Sequence, residues 1–402
     1  MVHSRRFYSA ISIICLLFFA LASYFFEGMQ QITLWIAVPG AAIFAFLAVS
    51  DHKPNRYMKL QIALYLWIAF TALSAYDDGL AMKELVRIFG CSLLIVAFDH
   101  LSKDNRLITW LYLVYIVLYL GMVNYARTNI LTDLFDYTED RLGNERLNAN
   151  MMAYFTFFTT FTIYILANTF KRRWVVVLFQ ILFLLSPVWS FLIAILTASR
   201  QVIVIQIPLI AFLLYIRYFM QKKLITKIVF IALCIFIGAV MLRVGAEYYE
   251  GSALSQRNEL NIEDDARMSH IKNAIKTGLE HPIVGVGPGC YGIYSLGVYT
   301  FSHNNYTELF ANSGFPALVL CVVMFWKFIK TQWKRYFKTR DIMFFSFFTF
   351  GLIYAIDNMF YVFYTSPWLI AFFFLVAGHS ENYYQMNYNF TSTGNITNTF
   401  KR

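Results

Sequence analysis

Charge is scarce in this sequence of 402 residues, since Asp, Glu, Lys and Arg make up only 14% of it. An ordinary soluble domain carries about 25% charged residues and about 45–50% apolar ones. Here the apolar and aromatic residues, cysteine included, reach 59%. A soluble chain of this size cannot bury so much apolar surface within itself. The composition therefore excludes an ordinary soluble globular protein and predicts a polytopic membrane protein.

Cysteine is also scarce. Four of the five cysteines fall inside apolar runs, and only Cys290 lies in a polar segment. A disulfide framework and a thiolate metal site are therefore both disfavoured. The sequence has no His-Glu-x-x-His motif, no Cys/His cluster for zinc and no outward-facing Asp-x-Asp pair for a divalent metal. Any chemistry is expected to proceed without a metal and without a cofactor.

Long apolar runs recur along the chain. A bilayer span requires about 20 mostly apolar residues, and the runs give twelve candidate spans. They lie at about 7–26, 32–50, 60–76, 85–101, 107–123, 151–168, 174–196, 201–219, 224–242, 306–329, 342–362 and 366–378. The first run lacks a small-residue cleavage site, so we expect an uncleaved helix. The sequence thus predicts an all-α integral membrane protein, with one transmembrane domain over residues 1–380 and a disordered cytoplasmic tail over 381–402.

Lys and Arg are concentrated in alternate connections between these runs. Arg5 and Arg6 precede the first run, and Lys171, Arg172 and Arg173 separate the sixth from the seventh. The positive-inside rule then places both termini in the cytoplasm. The formal net charge of +10 is explained by this topology, so no nucleic-acid partner is expected.

Two connections on the predicted outer side are long, at about 124–150 and 243–305. Loops of this length are usually functional or disordered. Within the second loop, Met268, Ile271, Ile275 and Leu279 recur near helical spacing. This spacing predicts an amphipathic helix over 264–279 that lies on or near the membrane.

Charged residues within or beside spans are costly and therefore become functional candidates. On the predicted outer side these candidates are Arg87, Arg200, Arg267, His303 and Asp357. Guanidinium groups near helix N-termini suit a phosphate-bearing ligand.

Ordinary structural explanations compete with these functional ones. Arg200 could be a snorkelling residue at the end of a span, and Arg87 could pair with Glu84 one turn earlier. His303 could be an interfacial histidine, and Arg267 a solvated loop charge. Asp357 has the weakest ordinary explanation, because a carboxylate near the bilayer requires a partner.

The run from Gly285 to Gly292 formally contains G-x-G-x-x-G. It follows no strand of a parallel β-α-β unit and faces the predicted exterior, so a dinucleotide site is disfavoured. We expect it to be a turn that carries the loop back toward the tenth span.

The segment from His303 through Asn304, Glu308 and Gly314 to Ala317 resembles the signature of the O-antigen ligase and O-antigen polymerase superfamily. Arg200 after Thr197-Ala-Ser, Ala266-Arg267-Met268 followed by the glycine-rich run, and a late Asp357 are similar to that family in their order. The resemblance covers about residues 195–360, and the first five spans match only in hydropathy. Ala317 departs from the family pattern.

The resemblance implies an all-helical (GT-C-like) membrane glycosyltransferase of the bacterial inner membrane that is inverting and metal-independent. The donor would be a glycan on undecaprenyl pyrophosphate, and the acceptor a glycan or lipid A–core. Membrane lipid, a chain-length regulator and a flippase would be further partners. The implied catalytic residues are His303 as base, Arg267 and Arg200 at the pyrophosphate and Asp357 as orienting group. Substrate contacts are expected from Arg87, Arg141, Arg146, Asn150, Asn304 and Glu308.

Three functions remain open at this point. A polymerase joins one lipid-linked repeat unit to another, whereas a ligase moves the finished glycan to lipid A–core. The Asn/Tyr-rich context of His303 and the departure at Ala317 favour the polymerase. A twelve-span secondary transporter is the alternative from another class, although the long external loop and the absence of an evident repeat of broken helices disfavour it.

Overall fold

The computed structural model describes residues 2–26, 29–49, 53–131, 142, 147–199, 202–220, 222–229 and 266–389, with isolated positions between 231 and 243. Across these residues the regular secondary structure is helical, and none of them lies in a β-strand. The predicted all-α class is therefore confirmed. The four cysteines within the described part of the chain are free thiols.

Short connections join the helices in the first half of the chain, except for the longer one between Asn129 and Ala149. In order, they are α1 (Val2–Tyr24), α2 (Gln30–Ala48), α3 (Arg56–Thr71), α4 (Asp78–Leu101), α5 (Asn105–Asn129), α6 (Ala149–Thr169), α7 (Arg173–Thr197), α8 (Ile207–Leu214), α9 (Ala266–Glu280), α10 (Tyr291–Leu296), α11 (Asn305–Thr339), α12 (Ile342–Asp357) and α13 (Pro367–Tyr384). Wider π-helical turns flank α8 at Val202–Gln206 and Tyr215–Phe219.

Six stretches of the described chain are long and apolar enough to cross a bilayer. They are Ser4–Tyr24, Arg56–Ser74, Asn105–Asn129, Ala149–Thr169, Arg173–Thr197 and Asn305–Thr339. Three shorter apolar helices, at Thr33–Ala48, Pro208–Phe219 and Ile342–Asp357, accompany them. The protein is therefore a multi-pass membrane protein. The total of twelve spans stays a prediction, because part of the ninth span, 224–242, lies outside the described residues.

Side-chain caps fix where several helices begin. The Asp77 carboxylate accepts a hydrogen bond from the Leu80 backbone N–H at 2.9 Å, which satisfies one of the unpaired donors of the first turn of α4. This helix therefore begins at Asp78, well before residue 85, at which the apolar run predicted that the span begins. As a result Arg87 lies in the third turn of α4 and not at the start of a span.

Helix α13 lies inside the bundle, while α7 lies at its edge. Every residue from Trp368 to Ser380 in α13 is buried, whereas Trp174, Ile181 and Leu185 of α7 are exposed. A helix that is apolar all round belongs in the core of a large bundle. The exposed apolar face of α7 suits contact with lipid.

The predicted start of a disordered tail at residue 381 is corrected by the structure. Helix α13 continues to Tyr384, and a π-helical turn follows over Gln385–Asn389. Glu381 accepts a hydrogen bond from the Arg335 guanidinium at 2.7 Å, and Tyr388 donates to Asp341 Oδ2 at 2.8 Å. These polar contacts hold the segment in place. Residues 390–402 lie outside the described part.

Candidate functional site

Helix α11 is broken at Gly314, whose φ of 75° and ψ of −177° interrupt the helical ladder. Pro316 has no N–H to offer the carbonyl of Asn312, four residues earlier. The carbonyls of Ala311 and Asn312 instead accept backbone N–H groups from Val286 at 3.0 Å and Gly287 at 2.9 Å. The sequence predicted one uninterrupted span at 306–329, so this break is a finding of the structure.

The glycine-rich segment at 282–287, here called the strap, completes the hydrogen bonding around the break. The Phe315 N–H donates to the Pro282 carbonyl at 2.7 Å, and the Trp67 indole N–H donates to the Ser313 carbonyl at 2.8 Å. Irregular backbone is tolerated at membrane depth only where protein or a cavity satisfies its polar groups. The predicted turn therefore docks into a gap in α11.

Two glycines make this close approach possible. A Cβ at Gly314 would lie 2.0 Å from the Ile283 carbonyl oxygen, and a Cβ at Gly285 would lie 2.3 Å from the backbone of Asn312. Both distances are shorter than the 3.0 Å that real Cβ atoms keep from other heavy atoms, so no residue with a Cβ fits at either position. In addition, the φ and ψ of Gly314 fall in a region that is essentially restricted to glycine.

His303 immediately precedes the broken helix and occupies a turn with positive φ. Its φ is 58°, which is uncommon outside glycine, although histidine, asparagine and aspartate adopt it more often than other residues. Asn304 caps α11, because its side-chain oxygen accepts from the backbone N–H groups of Tyr306 at 2.9 Å and Thr307 at 3.2 Å. The Ser302 hydroxyl donates to the Asn304 carbonyl at 3.0 Å. This tight turn fixes the direction of the His303 side chain.

Buried side chains connect the His303 turn to the preceding loop. The carboxylate of Glu308 accepts from the Ser302 backbone N–H at 2.6 Å and from the Asn312 amide at 2.8 Å. The Asn312 oxygen in turn accepts from the Tyr291 backbone N–H at 2.8 Å. The Tyr291 hydroxyl donates to the His270 carbonyl at 2.6 Å. One chain of hydrogen bonds therefore runs from the start of α11 to α9.

Burial, and secondarily the charge of Glu308, raises the pKa of the Tyr291 hydroxyl above its ordinary value. The hydroxyl thus remains protonated at physiological pH and acts as a donor. Since the acceptor is the backbone carbonyl of His270, Tyr291 fixes the first turns of α9 relative to α11.

The His270 side chain is brought against His303. The centroids of the two rings are 6.0 Å apart, and the rings meet edge to face. His270 follows Arg267 by three residues, so both side chains lie on one side of α9. Sequence reasoning identified Arg267 and His303 but missed His270. The sequence could have indicated His270, because it lies three residues after Arg267 on a predicted helix.

Arg87 and His303 line the same cavity, which has a volume of about 330 Å³. The guanidinium of Arg87 donates to Glu84 and to the Tyr299 hydroxyl, each at 3.0 Å. The predicted pairing of Arg87 with Glu84 is thus confirmed. The pair leaves Arg87 partly exposed to the cavity, so the ion pair and a ligand contact are compatible.

The other walls of this cavity come from the start of α6, the loop before α11, and the connection between α12 and α13 with the first turn of α13. They include Asn148, Phe301, Tyr361, Thr365 and Trp368. The shape therefore offers aromatic surface and hydrogen-bonding groups beside a cation and an imidazole. Such a mixture suits a sugar bearing a phosphate group.

Comparison with known families identifies part of this arrangement. Residues 185–322 match the family model described as O-antigen ligase. This segment, less than half of the chain, is similar to the O-antigen ligase family. The resemblance of the sequence to that superfamily is thereby confirmed, and at this coarse level the protein is an enzyme. No curated protein matches the chain.

The O-antigen ligase segment contains Arg200, Arg267, His303 and the break at Gly314. Arg87 lies outside it, although the fold brings Arg87 into the same cavity as His303. The cavity therefore combines a residue of the family segment with one from the first half of the chain. The hydropathy of the sequence could not predict that Arg87 and His303 lie in one cavity.

Several predicted site residues fall outside the described part of the chain, namely Arg141, Arg146 and Arg200. Asn150 is described and is buried in the first turn of α6, close in sequence to the cavity residue Asn148. The roles of all four residues stay predictions.

Asp357 lies at the end of α12 and is only 2% exposed. Its Oδ2 has no hydrogen-bond partner among the described residues. The expected contact with His303 or an arginine therefore receives no support from the hydrogen bonds of this structure, and Arg200 is not among the residues described. Next to it, the Asn358 carbonyl accepts the Asn305 N–H at 2.8 Å, which fastens this end of α12 to α11.

The predicted amphipathic helix is confirmed as α9, but its large apolar residues do not form the packed face. Ile275 and Leu279 are 42% and 67% exposed, while Ala274 and Gly278 are buried against α11. A Cβ on Gly278 would lie 2.4 Å from the Phe310 ring, so only small residues allow this approach. The exposed stripe is compatible with the predicted position near the membrane.

Within the described residues, no three His, Cys, Asp or Glu side chains come close enough together to hold a metal ion. The cationic and imidazole groups described above are those that the site offers to a ligand. The expectation of a metal-independent reaction stays a prediction.

Proposed function

We propose that the protein is a glycosyltransferase that moves a glycan from undecaprenyl pyrophosphate to an acceptor hydroxyl. The observation that carries this proposal is that His303 and Arg87 line one cavity while α9, which bears Arg267, packs its His270 ring against His303. A proton acceptor and cationic groups are thus available on one side of the bundle. The transfer requires both kinds of group.

In the proposed reaction, the acceptor oxygen attacks the anomeric carbon as the bond from that carbon to the pyrophosphate oxygen breaks. Attack from the opposite face inverts the anomeric configuration. His303 accepts the proton that the acceptor hydroxyl loses. The electron pair of the broken bond leaves on undecaprenyl pyrophosphate, whose negative charge Arg267 and Arg200 stabilise.

Arg87 is a candidate for a direct contact with the donor, because part of its guanidinium faces the cavity. Asn304 and Glu308 are better suited to positioning, since their side-chain oxygens accept hydrogen bonds inside the protein. We therefore replace their expected contact with substrate by a role in holding the His303 turn. Arg141, Arg146 and Asn150 remain candidates for glycan contacts, and Asp357 for orienting a catalytic group.

The polymerase reaction is our first choice, with another lipid-linked repeat unit as the acceptor. The site would face the exterior of the bacterial inner membrane, with both termini in the cytoplasm. The second choice is the ligase reaction onto lipid A–core, because the matching family is described as O-antigen ligase. In either case a chain-length regulator and a flippase would act with the protein.

Gel profiles of surface polysaccharide from a deletion strain distinguish these reactions. Core–lipid A that carries a single repeat unit would indicate a polymerase. Unlinked polymer on its lipid carrier would indicate a ligase. An unchanged profile, or full rescue by the His303→Asn variant, would contradict the glycosyltransferase proposal.

A further inference from the structure

A second region with arginine side chains and open volume lies at the end of the bundle opposite His303. Two cavities of about 650 and 640 Å³ adjoin there, beside α1 and α5. Both are lined by Arg6, Ser9, Asp104 and Arg106. Because they share these residues, we treat them as one feature and call it the α1–α5 groove.

The mouth of the α1–α5 groove is cationic. Arg5, Arg6, Lys103 and Arg106 line it, and Asp104 is the one carboxylate among its described lining residues. The Arg106 guanidinium holds Asp104 in a bidentate contact, at 3.0 Å from Oδ1 and 2.6 Å from Oδ2. The carboxylate is thus compensated within the protein, and the lining retains an excess of positive charge.

The inner part of the same groove is apolar. Ile13, Ile14 and Leu17 of α1 face Leu107 and Trp110 of α5 across it. Residues spaced by three and four positions share one face of a helix, so these side chains form a continuous wall. Ile14 and Trp110 are 62% and 53% exposed, so the wall is open to the surroundings of the bundle.

We propose that the α1–α5 groove binds an anionic phospholipid, with its phosphate at the arginines and an acyl chain along the apolar wall. Arginine offers several donors to phosphate oxygens. Basic pockets beside transmembrane helices suit anionic headgroups, and Trp is enriched at the level where headgroups meet acyl chains. A zwitterionic lipid would leave the excess positive charge without compensation.

The proposal depends only on the protein being a multi-pass membrane protein. It does not depend on the proposed glycosyl transfer, because none of the groove residues belongs to the His303 cavity. A lipid bound here would hold the start of α1 beside the start of α5. Its effect is therefore expected on stability and not on the chemical step.

Native mass spectrometry of the full-length protein in detergent tests this proposal. We expect dioleoylphosphatidylglycerol to bind at least tenfold more tightly than dioleoylphosphatidylcholine. The Arg6→Gln/Arg106→Gln variant should lose at least tenfold in affinity for phosphatidylglycerol, at roughly fivefold for each charge. The matched control is Arg172→Gln/Arg173→Gln, which removes the same charge from exposed positions outside the groove and should stay within twofold.

Three further variants separate the parts of the site. Arg106→Gln alone leaves the charges of Arg5 and Arg6 in place, so the predicted topology is preserved, and it should weaken binding about fivefold. Arg106→Lys keeps the charge and should stay within threefold. Ala10 also lines the apolar part of the groove, so Ala10→Phe should narrow it and weaken the binding of phosphatidylglycerol while leaving the binding of soluble glycerol 3-phosphate unchanged.

Specific outcomes would overturn the proposal. Equal binding of the anionic and zwitterionic lipids is one, and an equal loss in the Arg172/Arg173 control is another. If soluble glycerol 3-phosphate displaced the lipid as well as phosphatidylglycerol does, the groove would be a phosphate site and not a lipid site. A dimer that forms only with an intact groove would show that a second copy of the chain occupies it.

Discussion

At the end of the bundle that carries His303, helix α11 is interrupted and the strap enters the gap, whereas helices at the opposite end are joined by side-chain contacts. Seven of the eight residues with positive φ in the described chain lie at the His303 end, and Arg340 is the exception. At the opposite end, Arg335 donates to Glu381 at 2.7 Å, and Tyr383 donates to Asp341 at 2.9 Å.

This contrast follows from what backbone groups require in a membrane. A continuous helix satisfies its own N–H and C=O groups, but a broken one needs partners from elsewhere. At the His303 end, the strap supplies them to α11, and the side chains of Glu308 and Asn312 accept the N–H groups of Ser302 and Tyr291. The irregular backbone therefore lies at the end of the bundle where His303 lines a cavity, as is typical of strained backbone at functional sites.

Loss of the imidazole should give the largest difference between the two ends. His303→Asn keeps a residue that tolerates positive φ but removes the proton acceptor. Glycan transfer should fall about 10²- to 10⁴-fold with unchanged membrane insertion, as measured by surface-polysaccharide profiles and membrane immunoblots. The control is His281→Asn, since His281 contacts Tyr294 at 2.9 Å and does not line the cavity. Equal losses in both variants would contradict the assignment.

The break in α11 is tested by a pair of glycine substitutions. Gly314→Ala should destabilise the protein by more than about 3 kcal/mol, because the new Cβ meets the Ile283 backbone and the conformation is restricted to glycine. Gly297→Ala should cost only about 1 kcal/mol, since its φ is 71° but nothing lies within 4 Å of a Cβ there. Thermal unfolding in detergent measures both. Equal midpoints would show that the strap does not occupy the gap.

The Glu308–Asn312 pair allows a swap experiment. Glu308→Gln sets an amide donor against the Asn312 amide, and loss of one buried hydrogen bond should cost about 1–3 kcal/mol. The Glu308→Gln/Asn312→Asp double variant restores a donor and an acceptor to every contact. Both stability and transfer should recover in it. A double variant as impaired as the sum of its single variants would indicate that the hydrogen-bond chain is not formed.

The smallest effect on activity is expected from an arginine at the opposite end. Arg335→Gln removes a charged hydrogen bond to Glu381 and should lower the free energy of unfolding by about 1–3 kcal/mol. The loss is limited because Glu381 keeps its ion pair with Arg56 at 3.6 Å. Transfer per folded molecule should stay within twofold. Arg87→Gln should lower transfer at least tenfold, as judged from product formed per folded protein. Equal effects of the two variants on transfer would contradict the claim that the His303 end carries the chemistry and the opposite end does not.

Much of the fold could be predicted from the sequence. Apolar runs located most helices, because burial in lipid requires about 20 apolar residues in a row. The break at Gly314 escaped this reasoning, since Gly-Phe-Pro lies within an apolar run and its consequence depends on the strap. The start of α4 also escaped it, because Asp77 acts through a cap that hydropathy does not record.

The candidate site was predicted in part. His303 and Arg267 stand out because charged and titratable residues are rare near spans. His270 and Tyr299 did not, since only the packing of α9 and of the loop before α11 brings His270 against His303 and Tyr299 against Arg87. Glu308 and Asn304 were predicted to contact substrate, and only their hydrogen bonds reveal that they hold the turn.

The most direct test of the central claim is whether the lipid-linked donor occupies the cavity between Arg87 and His303. Thr365, which lines it, is replaced by Cys in the His303→Asn background, and its reaction with a charged methanethiosulfonate is timed. The donor should slow this reaction at least tenfold, while a Leu279→Cys control on the exposed face of α9 is unaffected. An unchanged rate at Thr365→Cys, at donor concentrations that saturate transfer by the wild-type protein, would contradict the account.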